Sequence, residues 1–198
     1  KRPNEFYPVF EDEQGTYILN AKDMCMIDYI DRLHEAGIYS LKIEGRAKSA
    51  YYVSVVTNAY RMAVDHYMAN PNEKFVLPDW VRDEVFKVSH RSYCTGFFFG
   101  HPKDCQYYEN SGYIREYDVV AVIDECKDGY LYCSQRNKFS LGDTIEILSP
   151  LQKPYEMKIT EIFDEKGEKL ENACHAEMKF KIPCDKIFTN NSIIRMKK

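Results

Sequence analysis

From about Tyr117 the hydrophobic pattern of this chain becomes that of strands alone, and that change limits the folds open to it. In "SLKIEGRAKSAYYVSVVTNAYRMAVDHY" (residues 40–67), Tyr52, Val56, Ala59 and Ala63 recur at the spacing of one helix face, with Ser49 placed to cap it. From about Tyr117 that stripe is gone. Short alternating runs replace it ("YDVVAVIDE", "YLYCSQ", "LGDTIEILS", "YEMKITEIF", "AEMKFKI", "SIIRM"), broken at Asp128-Gly129, Gly142-Asp143 and Lys166-Gly167. Such runs predict a small closed antiparallel barrel.

Upstream, Thr16 to Leu19 reads as a short strand. Met26, Ile27, Ile30 and Leu33 read as a helix between Asp23 as N-cap and Gly37 as C-terminal stop, and Ile38 to Ile43 reads as a second strand. The order strand, helix, strand, helix predicts a parallel sheet. Beyond Asn70-Pro71, Leu77 to Val88 carries Pro78, Trp80 and an amphipathic turn or two. The stretch "SHRSYCTGFFFGHP" then reads as loop and extended chain. The expected units are 1–70, a linker over 71–116, and a β domain over 117–198.

Composition excludes several classes of function. Lys and Arg total 27 against 31 Asp and Glu, a formal net charge of -4, so nucleic-acid contact is confined to a local patch. The seven cysteines are scattered without a Cys-x-x-Cys pair, which predicts reduced thiols. Counting outward from Asp128-Gly129 sets Cys126 opposite Leu131. Cys174, His175 and Cys184 lack the fourth ligand and close pair of a zinc site. The first residues contain neither an initiator Met nor an apolar signal core, and no run approaches the roughly 18 apolar residues of a membrane span. The expectation is a soluble, cytoplasmic piece of a longer protein with no membrane association.

Alternation puts Leu41 and Ile43 on one face of the expected strand and Lys42 and Glu44 on the other. In α/β barrels, the polar ends of such strands carry the site. Two readings follow for this corner. In one, Glu44 and Lys42 are catalytic and Arg46, with Lys48, binds a carboxylate or phosphate, Gly45 allowing a tight turn or close approach. In the other, Lys42, Glu44 and Arg46 are a structural network. His90 and Arg91 bind an anion or pack the linker. In "SHRSYC", the closeness of His90, Ser92 and Cys94 in sequence is poor evidence for a protease, because such groups meet in space. "TGFFFG" and Tyr107-Tyr108 could stack bases, although a Phe run more often reads as buried. Arg136, Lys138 and the terminal "RMKK" are modest basic spots. On residues alone, Cys25 reads as an apolar helix residue.

Three stretches, "YPVFEDEQGTYILNAKDMCMIDYI", "SLKIEGRAKSAYYVSVVTNAYRMAVDHY" and "VSHRSYCTGFFFG", together resemble peptidase family U32, the collagenase-like proteases, and "QRNKFSLGDTIEILSP" resembles its C-terminal region. Within the family the chain is most similar to bacterial prephenate-dependent tRNA uridine hydroxylases. The resemblance implies an α/β plus β fold, in which the last strands and helices of a TIM-like barrel precede a β-barrel similar to domain 2 of translation elongation factors. It implies a 4Fe-4S cluster in the full-length parent, not in this chain alone, with Cys25 of "NAKDMC" as one ligand and the other three upstream. It also implies prephenate as a small carboxylic acid cosubstrate, tRNA as partner and a possible partner subunit of the same family. The parent is then an enzyme and this chain alone inactive; the alternatives are a peptidase or a non-catalytic binding module.

Overall fold

The computed structural model describes residues 9–13, 15–18, 21–101, 105 and 112–198. Its N-terminal half begins with a hairpin of β1 (Val9–Asp12) and β2 (Gly15–Ile18), paired antiparallel. The expected first strand is therefore one arm of a hairpin. The next strand, β3 (Asp23–Met24), leads through a 3₁₀ turn (Ile27–Tyr29) into α1 (Ile30–Glu35). Asp23 caps no helix, because it lies in β3. Gly37, with φ of 74°, follows α1, as expected of a stop.

No strand forms over residues 38–43. A strand exists through hydrogen bonds to a neighbour, and among the described residues no segment runs beside this one. Among the described residues, parallel pairing is confined to β3 with β4 (Tyr93–Cys94), two residue pairs long. The cap and stripe expected next do form. α2 (Ala50–Ala69) begins where Ser49 accepts the Tyr52 N–H, and it buries Val55, Val56, Ala59, Met62, Ala63 and Tyr67. Pro78 opens α3 (Asp79–Glu84), which buries Val81 and Glu84.

In the Phe97–Phe99 turn, only Phe98 packs on the α-helical core. Phe97 and Phe99 are 74% and 58% exposed, against the expectation of burial, because successive residues of a turn cannot all point inward. Tyr107 and Tyr108 lie outside the described residues.

The C-terminal half is β. Its strands are β5 (Tyr117–Lys127), β6 (Tyr130–Gln135), β7 (Phe139–Ser140), β8 (Thr144–Leu148), β9 (Tyr155–Lys158), β10 (Ile162–Asp164), β11 (Lys169–Leu170), β12 (Asn172–Ala173), β13 (Lys179–Pro183) and β14 (Ile193–Lys197). Eight form one curled antiparallel sheet in the order β11-β10-β13-β6-β5-β14-β8-β9. The order ends at β11 and β9, and β12 pairs with β7 as a separate two-stranded sheet, so the hydrogen-bonded order does not close into the expected barrel. The β5–β6 turn has positive φ at both Asp128 and Gly129, the geometry that keeps a two-residue hairpin in step with strand twist. It sets Cys126 opposite Leu131, the register counted from the sequence.

Each half has its own apolar core. Val120, Ile123, Leu131, Phe180, Ile182 and Ile194 lie inside the curl, while Ile27, Ile30, Ala59, Ala63 and Val81 lie among the helices. A third, smaller cluster of Val55, Val56, Val88 and Leu148 joins them.

Candidate functional site

Where α2 begins, the two halves enclose a pocket of ≈ 490 Å³, lined among others by Lys48, Tyr52, Tyr113, Arg115, Tyr117 and Asn137. The helix contributes Tyr52 because the turn after its cap faces this cleft. The β half contributes Tyr117, Val119 and Asn137, whose Nδ2 donates to the Val119 carbonyl at 2.6 Å.

Lys48 is the best-held cation of this cleft. Its Nζ donates to the Ser89 carbonyl at 3.2 Å, lies 3.6 Å from Asp23 Oδ2, and stands 4.2 and 5.0 Å from the ring centroids of Tyr113 and Tyr52. Arg91 reaches the same assembly. Its backbone N–H donates to Asp23 Oδ2 at 3.0 Å, its guanidinium donates to the Ala21 carbonyl, and its Cζ is 5.1 Å from the Tyr113 centroid. Asp23 thus joins Lys48 and Arg91, and Tyr113 meets both cations. Burial, followed by the charges of Asp23, Cys25, Glu44 and Tyr113, raises the Tyr52 phenol, so it stays protonated at neutral pH.

The other sequence-selected residues lie outside this assembly. Glu44 accepts the Arg46 N–H at 2.8 Å, closing a local turn, and Lys42, Glu44 and Arg46 are all exposed. They form no ion-pair network among the described residues. Gly45 is needed for close approach to protein, since a Cβ there would stand 2.7 Å from Val53 Cγ2. His90 is buried, stacked on Tyr93 at 4.5 Å, with Nδ1 2.6 Å from the Arg91 carbonyl. Among the described residues, no hydrogen bond links it to Ser92 or Cys94.

Cys25 is half-buried behind the cleft, against the helical core, its Sγ 3.6 Å from the Tyr60 hydroxyl. Burial raises its thiol above the usual range. Tyr60 also accepts the Met26 N–H at 2.8 Å, and burial raises its phenol as well. Among the described residues, no group of three or more His, Cys, Asp and Glu is placed to hold a metal ion.

Of the residues selected from the sequence, the structure brings Lys48 and Arg91 together; Asp23, read there as a helix cap, joins them, and Tyr113 and Asn137 were not selected. The Tyr51-Tyr52 pair behind the cap was the available signal. What joins Tyr113 to Lys48 is tertiary. Chemically, the cleft suits a planar group laid against phenol rings with negative charge beside Lys48 and Arg115.

Residues 1–107 match the model of peptidase family U32, and residues 115–195 match that of the peptidase family U32 C-terminal domain. The chain belongs to peptidase family U32. It is 37% identical over 154 residues to tRNA hydroxylation protein P of Escherichia coli (strain K12), covering 76% of this chain and 33% of that protein. It is 32% identical over 190 residues to tRNA hydroxylation protein P1 of Bacillus subtilis (strain 168), covering 94% of this chain and 45% of that one. The chain thus spans a third to under half of these relatives. A solved U32 C-terminal domain from Geobacillus thermoleovorans matches with a TM-score of 0.36 and 25% identity, over 40% of this chain and 92% of that one.

Proposed function

We propose that this chain is part of a U32 protein that hydroxylates the wobble uridine of tRNA to 5-hydroxyuridine, with prephenate as cosubstrate. The observation that carries the reading is its similarity to two proteins named for tRNA hydroxylation, at 37% and 32% identity. In this proposal, residues 1–70 complete a TIM-like barrel in the whole protein, and the β half contacts RNA. Lys48 and Arg91 hold the anionic ligand, with Arg46 at the rim for a prephenate carboxylate. Glu44 and Lys42 are proposed to complete the catalytic corner there. The site is cytoplasmic, where tRNA is.

A 4Fe-4S cluster takes four thiolates. The described residues around Cys25 do not make such a set, so they do not fit a cluster by themselves, and no step of the reaction is derived through one. For the whole protein, Cys25 is proposed to supply one thiolate. Cys25→Ser in the full-length protein, reconstituted without oxygen, should lose most of its iron and visible absorption; full iron content would return Cys25 to the apolar core.

Nucleoside analysis of tRNA from a strain lacking the full gene tests the main reading. The expected result is loss of 5-hydroxyuridine, restored by the full gene and not by a gene for residues 1–198 alone. An unchanged level of the modified nucleoside would overturn the proposal.

A further inference from the structure

Strands β6, β13 and β10 lie side by side in the curled sheet. Their alternation sends Leu131, Cys133, Phe180, Ile182 and Ile162 into the core. The opposite face of an antiparallel sheet is ordinarily polar, yet here it carries three aromatic rings. Phe163, Lys181 and Tyr132 form one row across the three strands, because Phe163 is opposite Lys181 and Lys181 is opposite Tyr132. Tyr130 stands diagonal to that row.

The ammonium of Lys181 lies 4.7 Å from the Tyr130 centroid, 5.8 Å from Tyr132 and 6.0 Å from Phe163. Tyr130 and Phe163 meet edge to face at 6.0 Å. Two further lysines flank the rings. Lys169 Nζ is 5.8 Å from the Phe163 centroid and pairs with Glu161 at 2.6 Å. Lys179 pairs with Asp124 at 3.1 Å and donates to Ser134 Oγ at 2.6 Å. Lys181 has no carboxylate partner among the described residues.

We infer that this outer face binds single-stranded RNA, with Tyr132 and Phe163 as stacking platforms and Lys181 on the phosphate backbone. Aromatic rings interleaved with cations are what unpaired bases and their phosphates require together. The ion pairs of Lys169 and Lys179 are exposed, and such pairs are weak enough to exchange a carboxylate for a phosphate. An apolar protein partner fits less well, because an ammonium lies over every ring. The assignment rests on the RNA-contacting role proposed above and names the surface that performs it.

The test is fluorescence anisotropy of the purified chain with a labelled single-stranded oligouridylate, and with a duplex RNA of equal length, between about 50 and 200 mM salt. The single strand should bind more tightly than the duplex. Tyr132→Ala combined with Phe163→Ala should weaken binding about tenfold or more. Lys181→Gln, which keeps all three rings in place, should reduce the slope of log affinity against log salt by about 0.7. Circular dichroism establishes that each variant is folded. Absence of RNA binding by the parent chain, equal affinity for duplex and single strand, or parent-like affinity and salt slope in folded Lys181→Gln would each overturn the assignment. Capture of a protein by this face without RNA binding would do the same. Loss of 5-hydroxyuridine on gene deletion, with unaltered RNA affinity in the variants, would overturn the face and leave the hydroxylation reading intact. The reverse pattern would overturn hydroxylation and leave the face.

Discussion

Arg195 has a fully buried side chain at 0% exposure, and only its partners make that tolerable. Its guanidinium donates to Glu84 Oε1 at 2.7 Å, to Glu146 Oε2 at 2.6 Å and to the Tyr51 hydroxyl at 3.2 Å. Burial pushes the Tyr51 phenol up to about 12. Removing the cation leaves Glu84, 1% exposed, without its partner in the β half. Arg195→Met should therefore lower stability by about 3–5 kcal/mol in urea unfolding. A loss below about 1 kcal/mol would show that Lys87, 3.2 Å from Glu84, suffices alone. Burial alone would raise Glu146, but Arg195 and Lys87 outweigh it and hold the carboxyl below the usual carboxylate range. A depressed folded-state value means the unfolded chain binds the proton more readily. The stabilisation is thus present above about pH 4.5 and is lost as pH falls through the lower folded value. Thermal midpoints measured down through that range should fall less steeply in Glu146→Gln than in the parent chain. None of this network was legible in the sequence. Glu84 and Arg195 are 111 residues apart, and the terminal "RMKK" suggested a basic surface spot, which the burial of Arg195 rules out for that residue.

At the scale of elements, α2 was legible almost entirely, since its cap and buried stripe are both local facts. Ser49→Ala removes the acceptor of the Tyr52 N–H, 3.2 Å away, and should cost about 0.5–2 kcal/mol. The same change should loosen the floor of the cleft, read as weaker protection of the Tyr52 amide in hydrogen exchange. Gly45→Ala should also destabilise the start of α2, because the new Cβ meets Val53 of the helix. Thermal melts of the two variants check both expectations. The strand expected over 38–43 failed for a different reason. Alternation describes what a segment could pair with, and pairing requires a second segment. Likewise, Glu44 and Arg46 had the chemistry of a site, but their backbone-level turn leaves them exposed at its edge.

At the scale of the molecule, the buried residues of the core within the curled sheet all lie between Val120 and Ile194. Residues 117–198 expressed alone should therefore fold cooperatively, with protected amides in β5, β6 and β13; a collapsed, unprotected state would contradict this. That piece would retain Glu146 beside Arg195 but lose Glu84, so it should melt below the intact chain. The sequence alone determined the division into a helical half and a β half, the cap and stripe of α2, and the hairpin register at Asp128-Gly129. Each rests on interactions between residues close in the chain. Tertiary structure decided the rest. Asp23, Lys48, Arg91 and Tyr113 became one assembly, and Arg195 found Glu84, because charge and ring contacts depend on distance in space, which residue order leaves open until the two halves pack.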